Sequence, residues 1–168
     1  MNRPRGLNSL QMWESLKNNI HTRKFFDGIY PLDHLKHIKD EKPRLVIANT
    51  DPNHRPGKHW LLFYFNDDGK SVDFFDSLGK PPEHYPKDIS HFISMWAQEV
   101  NYISQRIQPI GSALCGHYCL YYAYCKSMGE SMEEIASHIP SPTWIYECIP
   151  ILYKISDIRT ECQTCQSY

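Results

Sequence analysis

One cysteine of this sequence stands where a thiol could act as a nucleophile. Cys115 follows a loop of small residues, Gly111–Ala113, and precedes a glycine at the predicted N-terminus of a helix. Free backbone N–H groups and the helix dipole stabilise a thiolate at such a position. The same N–H groups can donate hydrogen bonds to an oxyanion. Cys115 is therefore a candidate nucleophile for acyl transfer.

A predicted hairpin brings a histidine and a carboxylate together. Its strands, Lys58–Phe65 and Ser71–Phe75, flank a turn segment made of Asn, Asp, Gly and Lys. With the turn centred near Asp68, His59 lies opposite Asp76 or the residue after it. A carboxylate beside a histidine can orient the ring through its second nitrogen. The turn residues also allow a register one residue away.

An amide side chain adds a fourth candidate. Gln108 stands seven residues before Cys115, at the end of a predicted strand, and could turn its amide toward the same oxyanion. Cys119 and Cys125 fall on apolar faces of the predicted helix and are interpreted as core residues. Taken singly, these assignments are weak, because strand-end His and Asp residues and buried cysteines are usually structural.

The elements that must position these residues follow an α+β order. Helices are predicted first, then a sheet that contains the hairpin, then helices again. A short apolar strand, Arg44–Thr50, precedes the hairpin, and Lys58–Phe65 has the composition of a central strand covered on both faces. The predicted helices are Ser9–Asn18, Tyr30–Ile38, Asp88–Glu99, Cys115–Met128, one capped by Ser131, and one from Ser141 to about Ile155.

Length and composition indicate one soluble domain over residues 1–168, with loose ends at 1–7 and 158–168. The chain has 168 residues, 41% of them hydrophobic, and a net charge of −1, which excludes a global basic field for nucleic acid. We expect no signal peptide and no membrane segment. All six cysteines lie from Cys115 onward, and we interpret them as mostly free thiols. Cys162 and Cys165 form half a zinc site, so no metal site is assigned.

Four motif elements in order resemble the adenovirus protease (adenain) family, which is related to SUMO-deconjugating cysteine proteases. They are centred on His59, Asp76, Gln108 and Cys115, and the resemblance runs from about Phe25 to Lys126. The gaps of seventeen residues from His59 to Asp76 and of seven from Gln108 to Cys115 look like those of adenain. The resemblance implies a papain-like, adenain-like fold with a central mixed sheet and the catalytic cysteine at a helix N-terminus.

The resemblance also implies a role for each residue. Cys115 is the nucleophile, and His59 is the base that later protonates the leaving amine. Asp76 orients His59, while Gln108 and the backbone N–H of Cys115 form the oxyanion hole. Two neighbours of these residues, Trp60 and Gly116, are expected at the substrate-binding site.

One property of adenain-like enzymes does not transfer to this chain. Those enzymes are activated by a disulfide-linked peptide and by DNA, but here no cysteine precedes Cys115. An activating peptide would therefore bind non-covalently, or none is needed. The net charge weakens the case for DNA, and no cofactor is required by the sequence.

The resulting expectation is a monomeric cysteine endopeptidase that cleaves viral structural precursors at Gly-containing sites during virion maturation. It would belong to a virus or to a Polinton/Maverick-type element and act in the virion and in the host nucleus or cytoplasm. Two alternatives stay open. One is a protease that removes ubiquitin-like modifiers, and the other is an inactive homologue kept as a structural or binding protein.

Overall fold

Five strands form one mixed sheet at the centre of the protein, whose computed structural model describes residues 5–155. The strands lie in chain order; β1–β2 and β4–β5 are parallel, and β2–β3 and β3–β4 are antiparallel. They are β1 Phe26–Tyr30, β2 Leu45–Asn49, β3 Trp60–Phe65, β4 Ser71–Phe75 and β5 Glu99–Tyr102. The α-helices are α1 Ser9–Asn18, α2 Lys87–Trp96, α3 Cys115–Ser127, α4 Met132–Ser137 and α5 Pro142–Leu152, with 3-10 helices at Leu32–His37 and Pro82–His84.

Hydrophobic cores lie on both faces of the sheet. Along β3, Leu62 and Tyr64 face the core that α1, α3 and α5 cover, whereas Phe63 and Phe65 face the core under α2. This alternation follows from the two-residue period of a strand. The expected α+β class, with a mixed sheet between N-terminal and C-terminal helices, is confirmed.

The two edge strands of the sheet, β1 and β5, were not predicted. All four residues of β5 are exposed, and the strand forms because its backbone pairs with β4. The predicted helix Asp88–Glu99 consequently ends at Trp96, and Glu99 begins β5. The predicted helix Tyr30–Ile38 is also shorter, a 3-10 helix over Leu32–His37.

The hairpin register lies one residue away from the predicted one. Phe65 pairs with Val72, which leaves a longer turn than a centre at Asp68 requires. The Asp68 side chain accepts hydrogen bonds from the N–H groups of Lys70 and Ser71 at 2.9 and 2.8 Å. Gly69 follows with φ 76°, a left-handed conformation that favours glycine. These contacts select one of the turns that the composition allows.

The N-terminal segment is ordered from the first described residues. Leu7, placed in a loose end by the sequence, is only 5% exposed, and its carbonyl accepts a hydrogen bond from the Trp60 indole at 3.1 Å. The predicted loose end at 158–168, with Cys162 and Cys165, lies outside the described residues. Within residues 5–155, no helix combines the length and apolar character that crossing a membrane requires.

Candidate active site

Cys115 is the first residue of α3 and is 9% exposed on the wall of a cleft. The residue before it, Leu114, is the N-cap and provides no side-chain hydrogen bond to the first turn. The first N–H groups of a helix have no partner within the helix. Without a side-chain cap, they are available to a group that binds beside the thiol.

Asp76 follows β4 and is held by four hydrogen bonds. His59 Nε2 lies 2.6 Å from Asp76 Oδ1, so the expected contact is present. The Tyr85 hydroxyl donates to the same carboxylate at 2.6 Å, and the N–H groups of Leu78 and Lys80 donate at 2.9 and 3.0 Å. Burial opposes ionisation, but the bonds from His59 and Tyr85 outweigh it and keep the pKa of Asp76 below its usual value.

His59 links the carboxylate to the thiol. Burial alone would lower the pKa of His59, but hydrogen bonds to Asp76 and Cys115, together with their charges, raise it to about 9. Because Nε2 bonds to Asp76, Nδ1 is the ring nitrogen left for the thiol. The imidazole is therefore protonated at neutral pH and can form an ion pair with a thiolate.

Tyr85 is a site residue that the sequence analysis missed. Its ring stacks on that of His59, with centroids 6.2 Å apart and planes 18° apart. Burial and the Asp76 carboxylate raise the pKa of Tyr85, so its hydroxyl remains a donor. Tyr85 follows the proline-rich stretch that the sequence marks only as irregular, and no local pattern there signals a contact with His59.

Gln108 lies in the loop between β5 and α3 and not at the end of a strand, because β5 ends at Tyr102. The Ser77 hydroxyl donates to Gln108 Oε1 at 2.6 Å, and Gln108 Nε2 donates to the Ser112 carbonyl at 2.7 Å. These bonds fix the orientation of the amide. Since an amide nitrogen carries two hydrogens, one N–H is left for another acceptor.

The two expected substrate-binding residues occupy different places. Trp60 is half-buried and lines the cleft. Gly116 is buried beneath it, where an added Cβ would lie 3.1 Å from Met12 Sδ, 3.2 Å from Leu7 Cβ and 3.3 Å from Trp60 Cδ1. The structure therefore gives Gly116 a packing role, and its expected contact with substrate stays a prediction.

The cleft has a volume of about 930 Å³ and contains both His59 and Cys115. Its walls come from residues 6–9 before and at the start of α1, residues 29–31 at the end of β1, the loop from β2 to β3, Leu78 after β4, and the loop that leads into α3. A space of this size and form can hold an extended peptide segment across the thiol.

The remaining cysteines near the site are packing residues. Burial raises the pKa of the Cys119 thiol well above its usual value and that of Cys125 to about 12, so both stay protonated. Cys115, Cys119 and Cys125 are free thiols, as expected. Within residues 5–155 no group of three or more His, Cys, Asp or Glu side chains is placed to hold a metal ion.

Several solved structures are similar to this one, and three of them illustrate the range. The ASFV pS273R protease has a TM-score of 0.67 and 15% identity, over 95% of this chain and 69% of that chain. ChlaDub1 from Chlamydia trachomatis has a TM-score of 0.56 and 13% identity, over 95% and 96% of the two chains. The SUMO protease Ulp1 has a TM-score of 0.54 and 15% identity, over 89% of this chain and 76% of that chain.

No protein-family model and no curated protein matches the chain in sequence. The chain has the Ulp1/adenain-like cysteine protease fold.

Proposed function

We propose that the protein is a cysteine peptidase that hydrolyses peptide bonds in protein substrates through an acyl-enzyme. The observation that carries the proposal is the position of His59, which lies 2.6 Å from Asp76 and lines one cleft with Cys115, a residue that also helps to raise its pKa. Cys115 starts a helix and lines a cleft that fits an extended segment. Thiol, imidazole and carboxylate in this order are the parts that nucleophilic catalysis by a cysteine needs.

In the proposed reaction, the Cys115 thiolate attacks the carbonyl carbon of the scissile bond. The oxyanion that forms accepts hydrogen bonds from the Cys115 backbone N–H and from the free N–H of the Gln108 amide. Protonated His59 gives its Nδ1 proton to the leaving amine as the C–N bond breaks. A water molecule then attacks the thioester with His59 as base, which frees the acid and restores the thiol–imidazole pair.

For the substrate, we propose viral structural precursors cleaved at Gly-containing sites during virion maturation, in the virion or the host nucleus or cytoplasm. The likeness to the ASFV pS273R protease supports a viral role. Cys115 is only 9% exposed, so a bulky side chain beside the scissile bond would meet the cleft wall, whereas glycine would not. Trp60 lines the cleft and is proposed to contact the bound segment.

A second candidate function is removal of ubiquitin-like modifiers. It is supported by the likeness to the SUMO protease Ulp1 and to ChlaDub1. Both candidates use the same chemistry, and neither needs a cofactor, because the proposed groups all belong to this chain. An activator, peptide or DNA, would act by non-covalent binding, and the protein is proposed to work as a monomer.

The test is hydrolysis of fluorogenic peptides ending in Gly-Gly or Gly-X-Gly by the purified, reduced protein, beside Cys115→Ala. We expect cleavage that disappears in the variant, with and without an added peptide or DNA activator. Equal cleavage by both proteins, or no cleavage in any condition, contradicts the proposal. A folded ubiquitin-like fusion then separates the candidates, because a deconjugating enzyme cleaves it far faster than the tail peptide alone.

A further inference from the structure

A largely buried aspartate lies on the wall of the cleft. Asp51 is 8% exposed and lines the same space as Cys115 and His59. Its backbone is fixed on both sides: its N–H donates to Asn49 Oδ1 at 2.9 Å, and its carbonyl accepts from the N–H of Leu32 at 3.1 Å. The side chain is thus presented to the cleft by a rigid backbone.

The Asp51 carboxylate has no partner within residues 5–155. None of the hydrogen bonds or ion pairs found there includes its side-chain oxygens. Arg55 and Lys58 line the same cleft, but they are exposed and form no ion pair with it. Neither oxygen is among the buried side-chain atoms without a partner in the described residues, so the carboxylate end is open to the cleft, where a ligand can bring N–H donors to it.

Asp51 lies close to the proposed catalytic histidine along the sheet. Asn49 pairs with Trp60 in the antiparallel ladder, and the N–H of Thr50 donates to the carbonyl of His59 at 3.0 Å. Asp51 is the next residue beyond this bond. Asp51 thus lines the same cleft as Cys115 and follows directly on the strand pairing that holds His59.

We propose that Asp51 binds a lysine or arginine side chain of the substrate segment and so sets a preference for a basic residue near the scissile bond. This inference rests on the proposed peptidase function and names a feature of its substrates. A basic side chain supplies both the charge and the N–H donors that the carboxylate lacks. Asn49 Oδ1 also accepts from the N–H of Lys58, so the loop that carries Asp51 is organised before substrate binds.

The first test compares cleavage of Gly-containing peptides that carry Arg, Gln or Glu at each position flanking the scissile bond. At one position we expect the wild-type protein to prefer Arg over Gln by about tenfold or more in kcat/KM. Asp51→Asn should remove this preference, and Asp51→Lys should favour Glu. Asp88→Asn, the same change on exposed α2, is the matched control and should keep it.

The second test measures binding without cleavage, so that the two proposals fail separately. The same peptides are titrated into Cys115→Ala and into Cys115→Ala/Asp51→Asn by fluorescence anisotropy, with thermal unfolding as the check on folding. Cleavage without any charge preference keeps the peptidase and overturns the role of Asp51. Binding that prefers Arg only when Asp51 is present, in a protein that cleaves nothing, keeps the Asp51 site and overturns the peptidase. Equal affinities for the three peptides, or no binding, overturn the Asp51 site.

Discussion

His59 Nε2 lies 2.6 Å from Asp76 Oδ1, and this contact determines which ring nitrogen is left for the thiol. The carboxylate is itself held by Tyr85 and by two backbone N–H groups, so it cannot rotate away without losing several hydrogen bonds. The ring is further confined by stacking on Tyr85. These contacts fix the ring and leave Nδ1 as the nitrogen that can serve the thiol.

The Asp76–His59 contact predicts the pH dependence of cleavage. The pKa of His59 is raised to about 9, so the protonated ring persists through neutral pH and kcat/KM should fall as pH rises through about 9. Asp76→Asn removes a cause of this shift, and we expect the basic limb to move to lower pH. We also expect kcat/KM to drop about 10²- to 10⁴-fold.

The measurement is kcat/KM from pH 5 to 10 for the wild-type protein and for Asp76→Asn. Tyr85→Phe is the control, because it removes one hydrogen bond to the carboxylate and leaves the charge in place. Its basic limb should stay closer to that of the wild-type protein. A basic limb that does not move in Asp76→Asn would contradict the assigned role of the carboxylate.

The amide of Gln108 predicts a loss that is confined to the chemical step. Gln108→Ala removes the proposed oxyanion donor, and we expect kcat to fall about 10²- to 10³-fold with little change in KM. Ser77→Ala leaves the amide but removes the hydroxyl that fixes Oε1, so a smaller fall is expected. Steady-state kinetics of both variants checks this order, and an equal rise in KM for both would argue for a role in binding instead.

Gly116 predicts a cost in stability that comes from packing. A methyl group there would approach Met12, Leu7 and Trp60 at 3.1–3.3 Å, closer than ordinary contacts. We expect Gly116→Ala to lower the free energy of unfolding by about 1–3 kcal/mol, less the gain of up to about 1 kcal/mol in helix propensity. Urea denaturation measures the change.

A double-mutant cycle with Met12 separates crowding from other effects of the Gly116 substitution. In a Met12→Ala background the nearest neighbour is gone, so Gly116→Ala should cost less. An identical cost in both backgrounds would show that crowding against Met12 is not the cause.

Sequence reasoning recovered the parts of the site that depend on local pattern. The turn residues after Phe65 and the apolar runs on either side predict the hairpin that joins His59 to Asp76, although the exact turn was one residue off. The small loop before Cys115 predicts the helix start. Each of these signals lies within a few residues of the element it specifies.

The contacts that depend on the path of irregular segments could not be predicted. Tyr85 reaches Asp76 only because the chain after β4 folds back over the histidine, and Ser77 meets Gln108 across thirty-one residues of sequence. Asp51 reads as part of a turn, and its burial in the cleft follows from the tertiary arrangement. The strand β5 has only four residues, all exposed, and its place at the edge of the sheet depends on backbone pairing with β4.

His117, two residues after the proposed nucleophile, predicts sensitivity to acid. It is fully buried, and within residues 5–155 neither ring nitrogen has a hydrogen-bond partner. Its ring packs near that of Tyr146, with centroids 5.8 Å apart. Burial lowers the pKa of His117 to about 4, so the folded protein keeps the ring neutral where the unfolded chain, near 6.5, takes up a proton.

The sign follows from this difference. The unfolded state binds the proton more readily, so stability is retained above about pH 6.5 and is lost as pH falls toward 4. We expect His117→Leu, which fills a similar volume without a titrating group, to be less sensitive to acid than the wild-type protein. The free energy of unfolding of this variant, relative to that of the wild-type protein, should rise by up to about 1.4 kcal/mol for each unit by which the pH falls between 6.5 and 4. Urea denaturation at pH 7, 6 and 5 measures the gain, and His54→Gln, at an exposed histidine, is the control for loss of an imidazole. A difference between His117→Leu and wild type that stays constant from pH 7 to 5 would show that His117 does not cause the acid sensitivity.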